Sequence, residues 1–262
     1  MGPVPPGARS CRTAEKRVDL CVMDALAAAT ATASAVSSIG SQFMLDGDTY
    51  QRGAELGFSG LDFYAAGRGG VLGDVDADVV TAAFAFFEPS YVRSQWELAR
   101  QVMTPSEAAD AWAACCAAWA EAHVSDDLDL ARLAELLDPV VAAARPACAA
   151  VFSGWRALPV PTSPKAHVVH QMNALRELRH GLHCAAVVAG GLTPHQALSI
   201  NSPHMAPIFG WAELADVEGL QPKRDAVEEA TNAAIAHAYE GLDDAGRDEL
   251  VDRLGALVAG IA

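Results

Sequence analysis

Residues 167–183 gather four histidines, two arginines, one glutamate and one asparagine into a stretch without proline or β-branched runs beyond Val168-Val169. On a helix, 100° per residue puts His170, Asn173, Glu177 and His180 on one side and Arg176, Arg179 and His183 on another. The first side is a metal question. Glu177-x-x-His180 matches the Glu-x-x-His element of di-iron helix bundles, with His170 two turns back on the same side. Such sites also need a second Glu-x-x-His and two further carboxylates, and no second copy is present. His170, Glu177 and His180 are therefore weighed as a single-metal site against the commoner outcome, a hydrogen-bonded polar face, and no metal is expected. The second side suits an anion: a guanidinium is a planar fork for carboxylate or phosphate, and His183 can donate or accept a proton. Tyr64 and Arg68 occupy the related place nearer the N-terminus. Tyr64, Arg68, Arg176, Arg179 and His183 are thus the candidate ligand-binding set, meeting in a groove between two halves of the chain. The competing expectation is that these arginines pair with the abundant carboxylates, for under about 1 kcal/mol each.

Other chemistry is less well supported. Gly67-Arg68-Gly69-Gly70 lacks the Gly-Lys-Ser/Thr ending of a phosphate loop and does not follow a strand, so it reads as a turn. No Gly-x-Ser-x-Gly elbow, zinc spacing or dinucleotide fingerprint occurs, and no cofactor is expected. Cys115-Cys116 falls on an apolar helix face without a cationic neighbour, which predicts inert thiols. No catalytic residue is assigned.

The elements that must hold these residues read as helices. Residues 1–22 carry prolines, glycines and scattered charges without a hydrophobic period and read as a disordered leader, with Met23 as a candidate true start. An Ala-rich helix is expected over 24–45, stopped by Asp46-Gly47-Asp48. Thr104-Pro105-Ser106-Glu107 is a cap, a first-turn proline and a capping-box glutamate, and Trp112, Cys115, Cys116, Trp119 and His123 then recur at helical spacing. Leu130, Leu133, Leu137, Val140 and Val141 repeat the pattern, closed by Arg145-Pro146. The polar stretch is expected as a helix opened by a Ser163 cap and Pro164. Prolines between Trp155 and Pro164 place a linker at 155–163, separating a first half, 23–154, from a second, 164–262. The halves look alike. Residues 60–66 lead to Gly69-Gly70 and residues 181–186 to Gly190-Gly191, each followed by a short helix, a proline (Pro89, Pro203) and a tryptophan (Trp96, Trp211), as a duplicated helix-turn-helix unit would give. Thr193-Pro194-His195-Gln196 repeats the cap, proline and capping-box arrangement.

These residues carry a resemblance. Leu175-Arg176-Glu177-Leu178-Arg179-His180-Gly181-Leu182-His183-Cys184-Ala185-Ala186 resembles the LREHRGDGHxAAL-type signature of a mostly uncharacterised actinobacterial family of two-unit helix-turn-helix-like proteins. Leu56-Gly57-Phe58-Ser59-Gly60, residues 64–73 and Phe87-Glu88-Pro89 are similar to its first half, so the likeness spans roughly 50–260. It implies an all-α architecture of two related helix-turn-helix-like halves. Two departures stand out. The family's Gly-Asp-Gly is here His180-Gly181-Leu182, which removes an acidic residue, and the stretch between Trp211 and Glu228 is too short for a full two-stranded wing, so a lost or reduced winged-helix hairpin is expected.

Bulk properties narrow the partners. The 262 residues carry 33 Asp and Glu against 18 Lys and Arg, a formal charge of -15, and the only lysines are Lys16, Lys165 and Lys223. Such a surface is repelled by phosphate backbones and anionic lipid, which makes nucleic acid and membrane unfavoured partners. The candidate recognition helix of the second unit offers His195, Gln196, Ser199 and Asn201 but no Lys or Arg, and the first unit offers Asp74, Asp76 and Asp78. Six cysteines at 11, 21, 115, 116, 148 and 184 show no disulfide framework. With no secretory or membrane-spanning pattern, the expected compartment is the cytoplasm. The sequence reads as a small-molecule-binding or accessory regulatory protein whose ligand is an anion. Two alternatives stand beside it: an enzyme using His183 or His180 as acid-base, and a DNA-binding regulator. Ala-rich amphipathic helices would suit a homodimer.

Overall fold

Thr104 and Glu107 close a reciprocal capping box, each side chain accepting from the other's backbone N–H, and Pro105 supplies the first helical φ. From that start α7 (Pro105–His123) runs for 19 residues and buries Trp112, Cys115, Cys116 and Trp119 along one stripe. This computed structural model describes residues 23–261; the leader expected at 1–22 lies outside them. In chain order the helices before α7 are α1 (Ala25–Ile39), α2 (Gln42–Leu45), α3 (Gly47–Leu56), α4 (Leu61–Gly69), α5 (Ala77–Phe84) and α6 (Pro89–Ala99). After it come α8 (Leu130–Ala143), α9 (Ala150–Arg156), α10 (Pro164–Ala189), α11 (Pro194–Asn201), α12 (Gln221–Tyr239) and α13 (Asp244–Ala259). The described residues hold no β-strand, only an isolated bridge between Val124 and Ile261. The fold is all-α, as expected.

The core forms around Trp112. Its indole meets the rings of Phe43, Phe63 and Tyr64 edge-on at 5.2, 5.1 and 5.7 Å, and burying each such ring contributes roughly 1.5–3 kcal/mol. α4 reaches α7 this closely because a Cβ at Gly70 would sit 2.0 Å from the Pro105 carbonyl oxygen and one at Gly67 would sit 2.7 Å from Trp112. The glycine-rich run is a helix-packing seam rather than the turn it reads as. α10, 26 residues long, is the central shaft: α1, α7, α8, α9 and α12 all pack on it. One apolar cluster therefore runs from α1 to α13, with a smaller satellite of Val187, Leu192, Ala197 and Val227 under α11.

Several local expectations are corrected. The helix expected over 24–45 breaks at Gly40, where a Cβ would lie 2.8 Å from the Met172 carbonyl of α10; close approach to the shaft ends the helix, not a turn signal. Asp46-Gly47-Asp48 starts a helix instead of stopping one, because the Asp46 side chain accepts from the Asp48 N–H. Ser163 precedes α10 without capping it, since its hydroxyl goes to Glu121 on α7. Trp155, assigned to the linker, is buried in α9 and donates to the His170 carbonyl at 3.0 Å. The winged-helix hairpin, expected to be lost or reduced, is lost: residues 211–220 form an irregular loop. The two helix-turn-helix orders also differ, since Trp96 lies in α6 but Trp211 lies in that loop.

Candidate ligand-binding site

α10 carries the polar residues, and its neighbours decide what each can do. Glu177, 1% exposed, is gripped from two sides. Arg68 of α4 donates Nε and Nη2 to its two oxygens, both at 2.8 Å, and Arg176 donates Nη1 at 2.6 Å. Burial alone would raise the Glu177 carboxyl, but the two guanidiniums outweigh it and hold it at about 2. Arg68 is itself buried; its guanidinium lies 4.5 Å over the Phe84 ring, and Nη1 reaches the Tyr64 hydroxyl at 3.3 Å. Its charge is thus spent within the protein, where it anchors Glu177 and through it Arg176.

Burial holds His180 and His183 neutral. His180 donates Nε2–H to the Ala83 carbonyl at 2.9 Å, and burial, reinforced by Arg68, lowers its pKa to about 3. His183 sits 2.9 Å from the Thr231 hydroxyl through Nδ1. That hydroxyl already donates to the Val227 carbonyl at 2.7 Å, so it can only accept from the ring. The proton of His183 is therefore on Nδ1, Nε2 keeps its lone pair, and burial followed by the charge of Arg224 lowers the pKa to about 4.

These side chains border two connected hollows. The inner one is a chamber of about 320 Å³, walled by Tyr50, Tyr64, Phe84, Phe86, Phe87, Leu198, Met205 and Phe209, with Arg68, Arg176, His180, His183 and Arg224 on its polar side. The loop after α11 closes it: Phe209 stacks on Phe87 at 4.0 Å, its carbonyl accepts from Glu88 N–H, and Trp211 Nε1–H donates to the Phe86 carbonyl at 2.8 Å. The outer one is an open groove of about 920 Å³ between α1, α10 and α12. Ser41, Arg176, His180, His183, Asn201 and Arg224 border both and form the neck between them.

The predicted set accordingly divides. Tyr64, Arg68, Arg176 and His183 line the chamber; Arg179 lines only the groove, where Glu228 and Asn232 hold it. Arg224 was missed. It bonds Glu228 and Asn201 through its Nη atoms, and its buried Nε has no partner among the described residues; the i,i+4 spacing of Arg224 and Glu228 was its one signal. The loop residues Met205 and Phe209 had none. On the other side of α10, His170 stacks on Trp155 at 5.0 Å and Glu177 is taken by its arginines, so His170, Glu177 and His180 do not converge. Among the described residues no group of three or more His, Cys, Asp or Glu is placed to hold a metal ion.

The short helices after the two Gly-Gly pairs, α5 and α11, leave the question of DNA to their side chains. His195 of α11 stacks on Trp211 at 3.8 Å and donates to the Glu213 carbonyl at 3.0 Å, Gln196 closes the second capping box, and Ser199 accepts from Ala215 N–H. Compared with known families, the chain matches the model described as a helix-turn-helix family over residues 29–222. The chain belongs to this helix-turn-helix family. The match takes in α4, α5, α10 and α11, which line much of the chamber, and stops at residue 222, just before Arg224. No curated protein and no solved structure matches the chain. No helix among the described residues is long and apolar enough to cross a membrane.

Proposed function

We propose that this helix-turn-helix family member is a small-molecule-binding protein, serving an accessory regulatory role, and that its ligand is an anion with an apolar body. The chamber is the observation that carries the reading. Its volume falls at the lower end of ligand pockets, its walls are aromatic and aliphatic, and its polar side is concentrated at one neck. There Arg176 has only Glu177 as a partner among the described residues, and Arg224 brings a second guanidinium to the same neck. The body of the ligand would lie against Phe86, Phe87 and Leu198, with its carboxylate or phosphoryl group at Arg176 and Arg224. His183 Nε2, which keeps its lone pair, would accept from a hydroxyl or N–H elsewhere on the ligand, since an ionised carboxylate or phosphate has no proton to give. A histidine of pKa about 4 is a weak base near neutrality, and His180 has already committed its Nε2 proton, which favours binding over acid-base catalysis.

Titration calorimetry with phenyl phosphate tests this. Phenyl phosphate should bind at least about tenfold more tightly than inorganic phosphate, since chamber burial of the ring adds to the anion contact. Arg176→Ala should remove most of that affinity without unfolding the protein, because Arg68 still pairs Glu177. Equal affinity for the two phosphates would refute the chamber as a binding site. The regulator that reads DNA is the second reading, carried by the family match. Its candidate reading helix spends His195, Gln196 and Ser199 inside the protein and bears no cation. A gel shift at low salt, where phosphate attraction is greatest, should show no complex; a shifted band would restore that reading.

A further inference from the structure

The outer groove differs from the chamber in chemistry, and the difference describes the rest of the ligand. Along one wall α1 presents Thr30, Ser34 and Ser37, residues three and four apart that share a face, and Ser41 follows just past its end. Ser34 and Ser37 are exposed. The facing wall, α12, adds the carboxylates of Asp225 and Glu228 and the amides of Gln221 and Asn232. Glu228 bonds both Arg179 and Arg224, which line the same groove, and Asp225 accepts from Gln221 at 2.8 Å.

A second phosphoryl or carboxylate group would have to displace Glu228 from Arg179 and Arg224 to reach a positive charge, and would meet Asp225 beside them. An apolar arm would take water from Ser34, Ser37 and the α12 carboxylates and return no hydrogen bond for it. A group that donates and accepts at the same atom satisfies both walls, and an alcohol does so. Taking the chamber reading as its basis, we infer that the ligand continues past the neck as a neutral, hydroxyl-rich arm, a glyceryl- or glycosyl-type polyol lying between α1 and α12. The site is bipartite: apolar body in the chamber, anion at Arg176 and Arg224, polyol in the groove.

Two phosphodiesters of equal charge and similar length separate this from the chamber reading. Phenyl glyceryl phosphate carries two hydroxyls on its arm and phenyl propyl phosphate carries none; each is titrated into the wild-type protein beside phenyl phosphate. The glyceryl diester should bind about tenfold more tightly than the propyl diester, as two modest hydrogen bonds would give. In the double variant Ser34→Leu, Ser37→Leu, both at exposed positions, that preference should vanish while the affinity for phenyl phosphate is unchanged. If the diesters bind alike in the wild type, or if the preference survives in the variant, the polyol arm is refuted and the chamber reading stands. If phenyl phosphate and both diesters fail to bind, the chamber reading falls, and the arm with it.

Discussion

Glu177 shows how a buried ion pair decides what a neighbouring arginine is free to do. With Arg68 occupying both oxygens, Arg176 needs only one nitrogen to be held in place at the neck. Glu177→Ala leaves a guanidinium buried without a counter-charge and should cost about 3–5 kcal/mol in urea unfolding, whereas Arg68→Met combined with Glu177→Leu should recover most of it. Proton linkage gives a second expectation. His170 and His183 at about 4 and His180 at about 3 lie below the ordinary value of 6.5, so between those limits the unfolded chain binds more protons than the folded one. Their contribution is complete above 6.5 and is lost as pH falls toward 4 and 3. The urea midpoint should therefore drop steadily across that window, and His183→Asn should make the drop shallower; a flat profile would mean that these rings are open to water. The sequence placed Arg176, Arg179 and His183 on one side of a helix correctly, but it could not show that Arg68 spends its charge on Glu177, since that bond joins residues 109 apart.

At the scale of helices, the legible parts were those whose signals are local. Thr104-Pro105-Ser106-Glu107 and Thr193-Pro194-His195-Gln196 both form the capping boxes that their spacing predicts. Thr104→Ala and Thr193→Ala should each lower stability by about 1 kcal/mol. Illegible were the breaks set by contacts with distant elements. Gly40 interrupts an Ala-rich stretch only because α10 passes beneath it, and Gly70 matters because Pro105 presses on it. Gly70→Ala, harmless in an isolated helix, should cost more than about 1–3 kcal/mol here, because the added methyl would meet a backbone carbonyl that cannot swing aside. The thermal midpoint of that variant, set beside the one for Gly255→Ala, where a Cβ meets nothing, checks the argument.

For the whole molecule, an Ala-rich acidic composition announced packed helices, and the structure has them throughout the described residues. The partition into halves at the prolines was less informative, because α10 shares its surface with helices from both sides of that point. The chamber illustrates the same limit. Its aromatic wall comes from residues 84–87 and its cover from residues 205–211, joined by stacking and two hydrogen bonds that no spacing rule encodes.

One contact sets when the chain can complete itself. α1 lies against α12 and α13, and Thr32 is bound at 2.5 Å to the hydroxyl of Tyr239, more than two hundred residues later. During synthesis α1 must therefore wait, without the partners of its α12 and α13 side, until about two hundred further residues have left the ribosome. Nascent chains arrested before α12 should remain sensitive to protease and occupied by chaperones, and both should cease only once α12 and α13 have emerged.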